Sequence, residues 1–154
     1  MGSDSKPTRF FIDPTLLRLG KWLRYLGLDA PFVKSGMEIQ NDGVLLTRRR
    51  DLEESGQVVQ VPSDRLEEQL SWFVKRFPHA IEPDKVGSRC IRCNQILVEI
   101  PRDDAKDRVP DYIYQTHTSF KICPACRKIY WKGSHPERMQ VFLKGIGIQV
   151  GGIV

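Results

Sequence analysis

Apolar positions recur with two periods along the first half of the chain. Phe10-Phe11-Ile12 is a short continuous apolar run after Arg9, as in a strand buried on both faces. Asp13-Pro14 then opens a helix, with Asp13 as N-cap and Pro14 at the first helical position. Leu16, Leu19, Leu23 and Leu26 repeat at helical spacing with Trp22 beside them, and Gly27 closes the helix. Residues 30–33 read as a second strand, 44–47 as a third and 58–61 as a fourth, with a short helical pattern over 50–54. Asp64 and Glu67 are spaced as a capping-box pair for a further helix. Its apolar face is Leu66, Leu70, Phe73, Val74 and Phe77, and Pro78 ends it. Strands alternating with helices predict an α/β unit with a parallel sheet over residues 9–83.

From about residue 86 the pattern changes. The only cysteines of the chain stand in two pairs, Cys90-Ile-Arg-Cys93 and Cys123-Pro-Ala-Cys126. One CxxC turn aims two thiolates at a point, and two turns complete a tetrahedral shell suited to zinc. With all four positions filled by thiolates the zinc is structural, supplying folding free energy to a segment too small for a good core. Two disulfides or a redox dithiol are the competing readings. The chain opens on a short polar stretch, residues 1–8, without the apolar core of a secretory leader, and the second pair has no use in a redox dithiol. Short β-like stretches at 95–100 and 128–131 and a polar insert at 101–110 complete a zinc ribbon over 86–139. The glycine-rich tail, 140–154, reads as an added strand or a disordered end, as residues 1–8 read as disordered.

Composition bounds the answer without choosing it. The 154 residues make one ordinary domain or two small ones, and no run of 18 apolar residues predicts a membrane span. A cytoplasmic location is the expectation. The net charge is +5, and its placement is uneven. Residues 1–87 balance 13 basic against 13 acidic side chains, whereas 88–139 carry 10 against 6. A basic module beside a neutral one suits a polyanion such as RNA, although a modest excess also serves solubility.

Candidate chemistry follows from the strand ends, where sites gather in parallel α/β sheets. Asp13, Asp51 and Asp64 each lie just past an expected strand. Carboxylates meeting there would hold Mg²⁺ or Mn²⁺, which activates water and shields charge in phosphodiester cleavage. Each also has a plain structural reading: Asp13 and Asp64 as helix caps, Asp51 as a partner of Arg48 or Arg50. Arg48 and Arg50 belong to a run after the third strand that can grip phosphate, or simply stand in solvent. Arg18 and Lys21, with Tyr25, lie along the polar side of the first helix, placed to steer an RNA backbone. In the ribbon, Tyr112, Tyr114, Phe120, Tyr130 and Trp131 alternate with Lys121, Arg127, Lys128 and Lys132, a pattern that suits single-stranded nucleic acid. Most of those aromatics are expected in the ribbon's own core. His117 and His135 flank the second pair and are expected as hydrogen-bonding residues rather than ligands.

Several of these stretches resemble the Mut7-C RNase domain family. They are Phe11-Ile-Asp13 with Leu17-Arg-Leu-Gly-Lys-Trp22-Leu-Arg-Tyr-Leu-Gly27, Leu45-Leu-Thr-Arg48, Ser63-Asp64 with Glu67-Glu-Gln-Leu70, and Ser88-Arg-Cys90-Ile-Arg-Cys93-Asn94. Asp107-Arg-Val-Pro110-Asp-Tyr-Ile-Tyr114 and Cys123-Pro-Ala-Cys126-Arg-Lys-Ile-Tyr130-Trp-Lys-Gly133-Ser-His135 continue the likeness in the same order, over roughly residues 9–139. The resemblance implies a PIN-like nuclease fold joined to a zinc ribbon, with acids that bind divalent metal and cut RNA. On it Asp13 matches the first metal-binding acid and Asp64 a later acidic or polar position. Two departures stand out. The family's acid after Leu-Leu-Thr-Arg is Arg49 here, with Asp51 two residues on. The acid-bearing helix between the second and third strands is replaced by residues 34–42, where Glu38 is the clear carboxylate.

Two functions follow as expectations. One is a metal-dependent ribonuclease using Asp13, Asp51, Asp64 and Glu38, with Arg18, Lys21, Arg48, Arg50 and Lys128 on the RNA. The other is a catalytically weakened module of the same fold that binds nucleic acid or a protein partner.

Overall fold

Phe10, Ile12, Leu46 and Val59 come from three short strands and meet in one core. The structure is a computed structural model that describes residues 9–34, 39, 42–133 and 137–148, with the side chains of 137 and 138 outside that description. Strands β1 (Arg9–Ile12), β2 (Gly43–Thr47) and β3 (Val58–Gln60) form a parallel sheet in that order. Residues 29–33 lie along the far side of β1. Phe10 and Ile12 donate to the carbonyls of Asp29 and Pro31, and Val33 donates to Ile12, but only Phe32 forms a bridge. The expected second strand is therefore a single bridge, because Pro31 lacks the N–H that would return to Phe10.

Helix α1 (Leu17–Tyr25) is preceded by a 3₁₀ turn (Pro14–Leu16) whose N-cap is Asp13, as expected. Leu16, Leu19, Leu23 and Leu26 are all buried against the sheet. Gly27 ends the helix at φ +90°, and a Cβ there would run into the Lys85 carbonyl oxygen. Helix α2 (Leu66–Arg76) buries Leu66, Leu70 and Phe73 on the same core. Its start differs from the expected capping box. Arg65 occupies the N-cap without a side-chain bond, Ser63 Oγ accepts from the Arg65 N–H at 3.0 Å, and Glu67 is drawn into an ion pair with Arg65 at 2.7 Å. Asp64 is exposed and caps nothing. The expected helical turn over 50–54 is irregular. One turn cannot offset its own nucleation, and Gln60 Nε2 takes the carbonyls of Arg49 and Leu52 at 2.8 and 2.7 Å.

The second unit holds an antiparallel sheet of β4 (Val98–Ile100), β5 (Phe120–Ile122) and β6 (Ile129–Tyr130), with helix α3 (Asp111–Thr116) between β4 and β5. Phe120, Ile122, Ile129, Ile113 and Ala105 make its small core, and Tyr114 and Trp131 pack on it. Tyr112 is the exception among the aromatics, at 68% exposed.

The chain then returns to the first unit. Helix α4 (Glu137–Gly145) takes the place of the expected strand or disordered end as far as residue 145, and it starts within the span expected for the ribbon; residues 149–154, like the expected disordered start 1–8, lie outside the described residues. Its Met139 and Leu143, with Ile148 beyond it, join the α/β core, and Phe142 lies 5.0 Å from Trp22. The part of the tail up to Gly145 is helical because its Met139, Phe142 and Leu143 cover apolar surface that α1 leaves open.

Candidate metal centres and the basic cleft

The two CxxC turns are built alike. Asn94 N donates to Cys90 O and Arg127 N to Cys123 O, at 2.8 and 2.9 Å. Cys90 N donates to Gln95 O and Cys123 N to Lys128 O, both at 2.9 Å. The closing residues, Asn94 and Arg127, adopt φ 64° and 67°, the left-handed conformation that folds each hairpin back. The result puts the four Sγ atoms within 4.8 Å of one another, with Cys90 Sγ and Cys126 Sγ 3.7 Å apart. A tetrahedron with Zn–S bonds of about 2.3 Å spaces its sulfurs by roughly 3.8 Å, so the donors fit zinc. None of the four is in a disulfide.

The surroundings favour thiolate at one position first. Burial raises the Cys90 thiol, but hydrogen bonds from Tyr130 Oη at 3.2 Å and from the backbone of Cys93 and Arg92 outweigh it, bringing Cys90 down to about 7. Burial beside the other thiols pushes Cys93 up to about 12. Tyr130 is itself raised, by burial and by its bond to Cys90.

Arg24 locks this centre to the α/β unit. It is buried at 4% exposure, between Leu23 and Tyr25 on α1. Its Nε donates to Ala30 O at 2.9 Å, its Nη1 to the carbonyls of Ile91 and Arg92 at 3.0 Å, and its guanidinium lies 4.1 Å from the Phe32 ring centre. Asn94 adds bonds to Ala30 N and to Asp29. Sequence reasoning missed Arg24. Helical spacing gave no signal for it, because Arg24 lies off the Leu19–Leu23–Leu26 face.

At the carboxyl edge of the sheet, Asp13 N donates to Leu46 O and Val61 N to Thr47 O, so the three strand ends are level. Asp13 is buried at 4% exposure. Thr15 donates to its Oδ1 from both N and Oγ1, each at 2.9 Å. Oδ2 accepts no hydrogen bond among the described residues. Arg49 is raised first by its bond to Asp51 and in small part by the charge of Asp13. Arg49 meets Asp51 at 3.1 and 2.6 Å through two nitrogens, which holds Asp51 below the usual carboxylate range. Asp51 and Asp64 are exposed. Among the described residues the four cysteines are the one group of three or more potential ligands close enough to share an ion. Asp13, Asp51 and Asp64 thus stand on one edge without closing around a point, and Glu38 lies outside the described residues.

The basic residues divide between two places. Arg48 is half-buried and donates to Val61 O at 2.9 Å, so it ties β2 to β3, while Arg50 is exposed on the neighbouring turn. Arg18, Lys21 and Lys128 come together in a cleft of about 660 Å³ with Arg92, which the sequence reading did not single out. His117 bonds Thr116 Oγ1 and the Lys132 carbonyl, as expected for a structural histidine, and His135 lies outside the described residues.

With this geometry in view, the comparison with known families is decisive: the Mut7-C RNase domain model matches residues 8–143. The chain belongs to the Mut7-C RNase domain family. No curated protein and no solved structure matches it. Membership of the Mut7-C family carries a nuclease-type function with a nucleic-acid substrate. The expectation drawn from the short motifs around Asp13 and the cysteines is thereby borne out at the level of family. No described helix is long and apolar enough to cross a membrane.

Proposed function

We propose that this Mut7-C domain has a PIN-like fold and is a ribonuclease that hydrolyses RNA phosphodiester bonds with Mg²⁺ or Mn²⁺. The observation that carries the reading is Asp13. A buried carboxylate without a paired cation is unfavourable unless something positive meets it. Here Thr15 orients one oxygen and leaves the other, Oδ2, without a protein donor. Asp64 and Asp51 flank it on the same edge, and with Glu38 they are the residues that would complete the shell. Such an ion supplies a nucleophilic hydroxide and shields the scissile phosphate. Asp51 takes part once Arg49 turns from it to a phosphate. Arg50 then holds the strand beside the cut, with Arg18, Lys21 and Lys128 farther along it. A reduced compartment such as the cytoplasm suits four free thiols.

The Arg49–Asp51 pair favours a second reading, a weakened member that binds nucleic acid or a protein without cutting. Cleavage of a labelled single-stranded RNA with Mn²⁺ separates the two, comparing wild type with Asp13→Asn at equal zinc content. Loss of cleavage in the variant sustains the nuclease. Absence of cleavage by zinc-loaded wild type with either metal sinks it.

A further inference from the structure

The cleft that gathers Arg18, Lys21, Arg92 and Lys128 has walls from five parts of the chain. Helix α1 gives Arg18, Lys21 and Trp22, and α2 gives Leu66. The first cysteine turn gives Ile91 and Arg92, and the segment from the second cysteine turn into β6 gives Lys128 and Tyr130. Helix α4 closes it with Met139 and Phe142. All four cations are exposed, and no acid lines the cleft among the described residues. None of the four is in an ion pair among those residues. Its volume falls in the roughly 300–1,000 Å³ range of sites that enclose a small ligand or one unit of a polymer. Half-buried Trp22 and Phe142 offer ring surface beside the cations.

We propose that this cleft is a binding subsite for single-stranded RNA, taking a base against Trp22 and Phe142 and its flanking phosphates between Lys21 and Arg92. Cations alone suit any polyanion. Cations from separate segments of the chain beside aromatic surface suit a strand whose bases are free to turn inward, because every base has a face to stack and duplex bases are already stacked. Continuity supports the same occupant. Arg18 and Leu66 also line a second, smaller hollow with Thr15 and Asp64, so one strand can run from the Asp13 edge over Arg18 into the cleft. The proposal rests on the nucleic-acid reading of the family and not on cleavage. Its further consequence is that zinc governs RNA affinity, since Ile91 and Arg92 lie inside one cysteine turn and Lys128 follows the other.

The test is binding of fluorescein-labelled oligouridine to the full, zinc-loaded chain carrying Asp13→Asn, which keeps the RNA intact. Lys21→Ala and Arg92→Ala, checked for unchanged zinc content and circular dichroism, are each expected to weaken binding several-fold. Each should also reduce the slope of log affinity against log salt by about 0.7. In a Trp131→Phe background, binding should quench tryptophan fluorescence when Trp72→Phe is added but not when Trp22→Phe is added. An unchanged salt slope in the Lys21/Arg92 double variant overturns the cleft, even if Asp13-dependent cleavage persists. So does equal or tighter binding of duplex RNA, or a quench that survives Trp22→Phe. If RNA cleavage fails while these binding shifts appear, the cleft stands and the nuclease falls.

Discussion

Asp13 combines two roles that substitution can separate. Its Oδ1 caps the turn before α1, while its Oδ2 accepts no hydrogen bond among the described residues. Asparagine keeps an acceptor for the Thr15 N–H and removes the charge. Alanine removes both. Asp13→Asn is therefore expected to leave thermal stability near wild type while abolishing Mn²⁺-dependent cleavage. Asp13→Ala should cost about 1 kcal/mol more by denaturant titration, the usual worth of an N-cap. Equal destabilisation by both would show that the charge, not the cap, holds the turn. The cysteines give a prediction in pH. Zinc binds thiolates and displaces their protons. Cys90, at about 7, ionises well before Cys93, which needs the metal itself to lose its proton. Zinc affinity, read by competition with a chelating dye, should rise with pH and fall more steeply below pH 7, where Cys90 takes up its proton. Calorimetry in buffers of different ionisation enthalpy should record proton release on binding at pH 7.

At the scale of elements, α1 both packs the sheet and holds the metal centre. Arg24 gives its guanidinium to backbone carbonyls of the first cysteine turn, where burial lowers its pKa and the field of Cys90 and Cys93 offsets only part of that. A Cys₄ zinc site carries net negative charge, so a fixed guanidinium beside it is stabilising. Arg24→Met fills similar space but leaves the carbonyls of Ile91 and Arg92 without a donor and the thiolates without a counter-charge. It should cost about 3–5 kcal/mol and speed zinc loss to a chelator. Arg24→Lys should recover part of this, since one ammonium cannot reproduce the fork. Zinc release at the wild-type rate from both variants would refute the coupling.

How legible the elements were follows from the range of forces that form them. The faces of α1 and α2 and the runs of β1 and β2 were readable because each buries a periodic set of side chains. Helix α3 and strand β5 carry six and three residues, too few for a period, and they form because the insert folds onto Ile122 and Ile129. Helix α4 was hidden by the glycines at and beyond its end and by the absence from local sequence of what it covers, Trp22. The same divide runs through the sites. The cysteine turns are local, so spacing revealed them. The cleft is made by docking, so Arg18, Lys21 and Lys128 were named without their common place, and Arg92 was missed.

For the whole molecule, the question is whether the α/β unit and the cysteine unit melt apart. A set of half-buried hydrogen bonds crosses their boundary. Gly87 N donates to Tyr25 O at 2.8 Å, Arg89 Nε to Gly27 O at 3.3 Å and Asn94 Nδ2 to Asp29 at 2.7 Å, beside the Arg24 bonds. Every one of these reaches the end of α1 or the loop after it. Leu143 and Met139 then return from beyond the zinc unit to seal the α/β core. A chain threaded this way cannot lose the zinc unit without freeing both the end of α1 and the approach to α4. We therefore expect a single calorimetric transition for the zinc-loaded protein. Chelation should lower its midpoint and reduce hydrogen-exchange protection in residues 23–30 as well as in the cysteine turns. Leu143→Ala, at a fully buried position, should cost about 2–5 kcal/mol and shift the same transition. Two separated transitions, or α1 protection unchanged after zinc removal, would mean that the units fold independently. In that case the cleft between them would open and close without reference to the metal.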